Sequence, residues 1–307
     1  ALAESKPGAI QQPIDIAGER MFGTFHRSTI SDPKLVLTKT FLQNTILPKT
    51  SSRCLSMSAT SPTVKGDENM SDPSATIQRP VILMNGMGSN FDSLWRRNGW
   101  VDKLQAAGRT VIGVDLPGHG ASKDLVGRDA ADLILNEAAK HGSVDAIGFS
   151  AGAWALLLAA SERPALFERI AVLGAADAVM THEMYTAAMN QPIIDGLRSS
   201  EPTDNPMVTV IRAMIADAGN DPDAIAGYLA SDKRFVSVEG LGRITADALV
   251  IDSSGDGAGQ SDLVAKTIPG AQHVTLEGPD HFEIPGVAQC VDATISFIDS
   301  DGSRVSK

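Results

Sequence analysis

The segment Val144-Asp145-Ala146-Ile147-Gly148-Phe149-Ser150-Ala151-Gly152-Ala153-Trp154-Ala155-Leu156-Leu157-Leu158 narrows the possible folds more than any other in the chain. A short apolar strand runs into Gly-x-Ser-x-Gly, and an apolar helix leaves the turn at once. Such a turn is too tight for side chains at its flanks, so Gly148 and Gly152 let strand and helix approach closely. Ser150 is left at the apex with its hydroxyl exposed. The first backbone N–H groups of the new helix have no partner within it, and they point toward any negative charge that forms beside the serine. Ser150 is therefore the candidate nucleophile; the alternative is a small residue chosen only for a tight turn.

A serine hydroxyl needs a base, and the base needs an orienting carboxylate. In sites built on this turn the order along the chain is serine, acid, histidine. His119 and His141 precede Ser150. His26 lies in a segment of poor core composition, and His182 in a helical insertion. His273 opens the apolar run His273-Val274-Thr275-Leu276 as a partly covered strand-end residue. His281, in Glu277-Gly278-Pro279-Asp280-His281-Phe282, sits in a Gly-Pro turn straight after that strand. Loops at the C-terminal ends of parallel strands are where such sheets hold their chemistry, so His281 is the candidate base. For the acid, Ala248-Leu249-Val250-Ile251-Asp252 is the preceding strand and Ser253-Ser254-Gly255-Asp256 the turn leaving it. Asp256 is preferred, with Asp177, one strand earlier in Gly174-Ala175-Ala176-Asp177, as the alternative.

An oxyanion needs a second backbone donor from the loop after an earlier strand. Pro80-Val81-Ile82-Leu83-Met84 is wholly apolar and leads into Asn85-Gly86-Met87-Gly88-Ser89-Asn90. The amides of Met87 and Ala151 are the expected donors. Gly86-x-Gly88 is not a dinucleotide loop, because Phe91 stands at the third glycine position, and the chain has no Walker lysine.

From about Ile77 to Asp301 the chain resembles the α/β-hydrolase superfamily. The resemblance rests on Asn85-Gly86-Met87-Gly88, where the family has His-Gly-x-Gly, and on Asp115-Leu116-Pro117-Gly118-His119-Gly120-Ala121-Ser122. Gly148-Phe149-Ser150-Ala151-Gly152, the turn ending in Asp256, and Gly278-Pro279-Asp280-His281-Phe282 complete the series. Two departures stand out: Asn85 replaces the usual histidine, and Ser253 stands where a glycine often opens the acid turn. The resemblance implies a serine hydrolase of the carboxylesterase kind, working on an ester-like small molecule through an acyl-enzyme and needing no cofactor. The same groups would serve a thioesterase, a C–C hydrolase, a perhydrolase or an acyltransferase. A ligand-binding protein on the same scaffold is a further alternative. Substrate choice would lie in the cap rather than in the triad.

Apolar runs near 80–85, 110–115, 144–149, 169–174, 247–252 and 272–277 alternate with helical stretches. That alternation predicts an α/β fold with a doubly wound, mostly parallel sheet, its strands covered on both faces. The core is expected over 76–177 and 239–303, with a helical cap inserted at 178–238, where Asn205-Pro206 and Asp221-Pro222 mark helix starts. Met180, Met184, Met189, Met207 and Met214 fall in or beside this insertion. They suggest a hydrophobic substrate cleft, with Asn85, Phe149, Met180 and Met184 as its expected lining. The antiparallel hairpin that often opens the superfamily's sheet is expected to be missing.

Residues 1–75 differ in kind, being rich in Ser, Thr and Pro with little apolar periodicity, and are expected to form a disordered tail. From Phe22 to Thr60 this stretch carries Arg27, Lys34, Lys39, Lys49 and Arg53 against the single acid Asp32. That pattern leaves a transit-like segment, and hence an organelle, as the alternative to a cytoplasmic location. The 307-residue chain has a formal net charge of −11, which disfavours nucleic acid and anionic membrane as partners. Cys54 and Cys290 are its only cysteines, and no Cys/His cluster has metal-ligand spacing.

Overall fold

The computed structural model describes residues 79–180 and 187–300, and these belong to the compact unit Asp72–Lys307. Six strands form the sheet among the described residues: β1 (Val81–Met84), β2 (Val111–Val114), β3 (Val144–Phe149), β4 (Phe167–Leu173), β5 (Asp247–Ser253) and β6 (Gln272–Leu276). They pair in the order β2-β1-β3-β4-β5-β6, every pair parallel. All six expected strands are present. The expectations for residues 1–75 and for a missing hairpin fall outside the described residues.

Side chains alternate between the two sheet faces, and each face has its own cover. Ile82, Met84 and Ala146 pack with α2 (Ala130–Ala138) and α3 (Ala151–Glu162). Val81, Leu83, Ile147 and Phe149 pack on the other face with α1 (Trp100–Ala106) and with Cys290, Val291, Phe297 and Ile298, which lie in the C-terminal helix (Ala288–Asp299). Helix α3 is apolar nearly all round, and ten of its residues are buried, as expected of a helix at the centre of a domain. Strands β1 and β3 are buried at every position, whereas the edge strands β2 and β6 are largely open on one side. At the end of the sheet away from the serine, wholly buried Asp145 meets the Arg109 guanidinium in a short ion pair, with Arg79 at 3.6 Å.

Between β4 and β5 lie a helical turn (Asp177–Met180), α4 (Ala187–Arg198), α5 (Pro206–Ala218), α6 (Pro222–Ala230) and α7 (Val238–Leu241). Asn205 and Asp221 cap α5 and α6, each followed by proline at the first helical position. Ile194, Leu197, Ile211, Ile215, Ile225 and Leu229 give this insertion a small core of its own, against which Met87 also packs. Helices α8 (Asp262–Thr267) and α9 (Ala288–Asp299) complete the fold.

Candidate active site

Ser150 sits between β3 and α3 at φ 52°, ψ −119°, a conformation that a residue with a Cβ rarely adopts. The surrounding packing enforces it. A Cβ on Gly148 would lie 2.7 Å from the Gly152 carbonyl oxygen. One on Gly152 would lie 2.7 Å from the Met84 carbonyl oxygen and would strike that of Asn85. The two glycines thus let β3, α3 and the loop after β1 converge. The Ser150 N–H donates to Leu173 O at 2.9 Å, fixing the apex against β4.

Ser150, Asp256 and His281 come together although they lie on three separate loops. The Ser150 hydroxyl donates to His281 Nε2 at 2.8 Å, and His281 Nδ1–H donates to Asp256 Oδ2 at 2.8 Å. A carboxylate only accepts, so the proton sits on Nδ1 and leaves the Nε2 lone pair facing the serine. The Asp256 carboxylate is wholly buried, and its other oxygen accepts from the Ala258 N–H at 2.7 Å. Asp177, the alternative acid, is used elsewhere: it accepts from the Leu263 and Val264 N–H groups at the start of α8.

The acid turn and the histidine loop are tied together directly. Ser253 Oγ donates to Pro279 O at 2.5 Å and accepts from the Gly255 N–H at 3.1 Å. Ser254 Oγ accepts from the Gly278 N–H at 3.1 Å. A glycine at 253 could make neither side-chain bond. Beneath them, buried Asp252 accepts from the Ser261 N–H and from His273 Nε2, closing the base of the acid loop.

The Ala151 amide opens α3, where no intrahelical acceptor exists, and the Met87 amide has no partner among the described residues. The loop bearing Met87 is held from three directions. Asn85 is wholly buried; its amide donates to Gly86 O and Ser89 O and accepts from the Leu116 N–H. His119 Nε2 accepts from the Gly88 N–H at 3.0 Å while its Nδ1–H donates to Pro117 O. That arrangement needs a neutral ring, and burial holds the His119 pKa down to about 4. From the cap, Asn220 donates to Gly88 O and Ser89 O and accepts from the Gly120 N–H. Asn220 precedes the helix start at Asp221-Pro222 and was not singled out by the sequence, because its bridging role has no local signal.

Of the expected pocket residues, Asn85 is wholly buried, with its polar atoms bonded to its own loop and to the Leu116 N–H rather than facing open space. Phe149 is buried beneath the site, its ring 5.1 Å from the His281 ring. Met180 is half-buried against the main core, and Met184 lies outside the described residues. Met214 lies over the loop that bears Met87, 3.5 Å from where a Cβ on Gly88 would stand.

Among solved structures the chain is similar to MenH from S. aureus, with 14% identity, a TM-score of 0.57, and coverage of 72% of this chain and 93% of that one. It is also similar to an esterase from Exiguobacterium antarcticum (18%, TM-score 0.55, 72% and 92%). The enol-lactonase from Burkholderia xenovorans LB400 is a third (21%, TM-score 0.51, 72% and 92%). At these identities the likeness is one of fold. No curated protein matches the sequence significantly. The model of the alpha/beta hydrolase family matches residues 81–289, which takes in the serine turn, the acid turn and the histidine loop. The chain belongs to the alpha/beta hydrolase family.

Proposed function

We propose that this protein is a serine hydrolase that cleaves a small or medium-sized ester of largely apolar character through an acyl-enzyme. The observation that carries this is the unbroken relay from Ser150 Oγ to His281 to Asp256, both links at 2.8 Å, with the serine at the head of α3. His281 Nε2 takes the hydroxyl proton as Ser150 Oγ attacks the ester carbonyl. Asp256 stabilises the imidazolium that results. The negative charge on the former carbonyl oxygen meets the Met87 and Ala151 amides. Collapse expels the alcohol, which takes the proton from His281. Water, deprotonated by His281, then attacks the acyl-serine and releases the acid with Ser150 restored.

The test is labelling with a fluorophosphonate, followed by peptide mapping, alongside turnover of 4-nitrophenyl esters. One adduct on Ser150 is expected, absent in Ser150→Ala and strongly reduced in His281→Ala, with turnover lost in the same variants. A folded Ser150→Ala protein that still cleaves the esters would overturn the assignment. Product analysis with an added alcohol separates hydrolysis from acyl transfer.

A further inference from the structure

The N–H that Met87 offers to the oxyanion belongs to the peptide group between Gly86 and Met87, and that group is held through its other end. Gly86 O accepts from Ser89 Oγ at 2.8 Å, from Asn85 Nδ2 at 2.9 Å and from the Ser89 N–H at 3.3 Å. Gly86-Met87-Gly88-Ser89 is thus a tight turn, with Gly88 at φ 83° in the third position, where a type II turn needs a positive φ. Its backbone bond is long, and the hydroxyl supplies a shorter closure to the same oxygen.

The peptide is planar and trans, so its N–H points opposite to its C=O. Whatever fixes Gly86 O therefore aims the Met87 N–H. Gly86 borders the nucleophile, since a Cβ on it would stand 3.4 Å from Ser150 Cβ. The backbone alone would aim the amide poorly, because Met87 lies between two glycines, which restrain a chain least. Donors on a carbonyl oxygen also polarise the amide and make its N–H a stronger donor. Ser89 is buried, and its own carbonyl accepts from Asn85 Nδ2 at 2.7 Å and Asn220 Nδ2 at 3.2 Å, so the hydroxyl is carried on a fixed residue. Among the described residues Gly86 O is the one hydrogen-bond partner of Ser89 Oγ.

We propose that Ser89 is a positioning residue for the oxyanion: by holding Gly86 O, its hydroxyl aims and strengthens the Met87 N–H. This rests on the hydrolase reading above and adds to it the residue that sets one of the two oxyanion donors. Ser89 acts through that amide alone. Its effect therefore falls on the transition state, where the substrate oxygen is charged, and hardly on the bound ester, whose carbonyl is neutral.

The experiment separates kcat from KM. Ser89→Ala should lower kcat for 4-nitrophenyl esters ~10-fold or more while KM stays within ~3-fold. Ser89→Thr, which keeps the hydroxyl, should restore most of the lost kcat. Trifluoromethyl ketones add to a reactive serine and leave an oxyanion, so they should bind Ser89→Ala ~10-fold more weakly than the native protein. The matching secondary alcohols place no charge there and should bind both proteins equally. A serine that served only to close the turn would lower the melting temperature of Ser89→Ala yet leave kcat and ketone affinity unchanged, and that result overturns the proposal. So does a change confined to KM. Ser89→Cys, which offers only a weak donor, carries the same expectations where the alanine variant does not fold. Native protein without Ser150-dependent turnover would sink the hydrolase reading and this proposal with it. Ser150-dependent turnover with equal kcat in Ser89→Ala would sink the role of Ser89 alone.

Discussion

His119 makes the fold sensitive to mild acid in a way that can be worked out in advance. Its ring is wholly buried, and Nε2 can accept from the Gly88 N–H only while that nitrogen carries no proton. Burial lowers its pKa from 6.5 in the unfolded chain to about 4 in the folded one. The unfolded chain therefore binds the proton first as pH falls, so the contribution of His119 to stability is present above about 6.5 and is lost progressively toward 4. With these two values the loss between pH 7 and pH 5 comes to about 2 kcal/mol. Asp115 and Asp145, both pushed upward by burial, titrate in the opposite sense and partly mask the effect in the native protein. The measurement is thus a difference: urea unfolding of the native protein and of His119→Gln across this range. Glutamine cannot titrate, so the native protein's advantage over the variant should shrink by about 2 kcal/mol from pH 7 to pH 5. A constant difference would mean that the ring takes up its proton equally in both states, and the neutral-acceptor account of the loop would fail.

Three further outcomes follow from the same geometry. Asp256→Asn should lower kcat by ~10⁴-fold with the fold retained, whereas Asp177→Asn should cost ~1 kcal/mol in a melt through the start of α8 and leave kcat within a few-fold. Gly152→Ala should fail to yield folded protein at 37 °C on expression, because its Cβ would run into the backbone of Met84 and Asn85 rather than into a movable side chain; a well-folded, active G152A would refute that packing. Ser253→Ala should reduce kcat ~10- to 100-fold with little change in KM, since it frees the histidine loop without touching the substrate; a change confined to KM would show that the serine meets substrate instead.

The strands were legible because each is an apolar run ended by turn residues, and burial on both faces makes such runs continuous. The exceptions are the edges. Strand β6 carries His273 and Thr275 outward and β2 is only half covered, because an edge strand has one neighbour and less to exclude from water. Ser150 is marked by its Gly-x-Ser-x-Gly turn and His281 by the Gly-Pro turn after β6 together with the serine–acid–histidine order, and the structure brings the two side chains to 2.8 Å. The choice between Asp256 and Asp177 could not be made that way, since both follow a strand in a small-residue turn. What separates them is tertiary: β6 delivers His281 to one, while α8 presents its free amides to the other. Asn220 was out of reach for the same reason, as its partners are set by how the cap helices lie on the loops. Asn85, expected in the pocket, is wholly buried, with its amide bonded to Gly86 O, Ser89 O and the Leu116 N–H.

The two departures from the family's pattern act alike. Asn85 joins the loop after β1 to the start of the turn after β2, and Ser253 joins the acid turn to the histidine loop. Ser150 itself is over-determined by strand, helix and glycine packing, so it needs no such tie. The loop after β1 and the histidine loop are irregular where they border Ser150, and hydrogen bonds of 2.8 Å from Ser150 to His281 and from His281 to Asp256 leave little tolerance for drift. Side-chain bonds to backbone carbonyls and amides fix a loop with few atoms, and burial raises the cost of breaking them. The polar residues at 85 and 253 therefore tie down loops that the sheet does not, and the insertion between β4 and β5 adds to this through Asn220, which donates to Gly88 O and Ser89 O of the first of these loops.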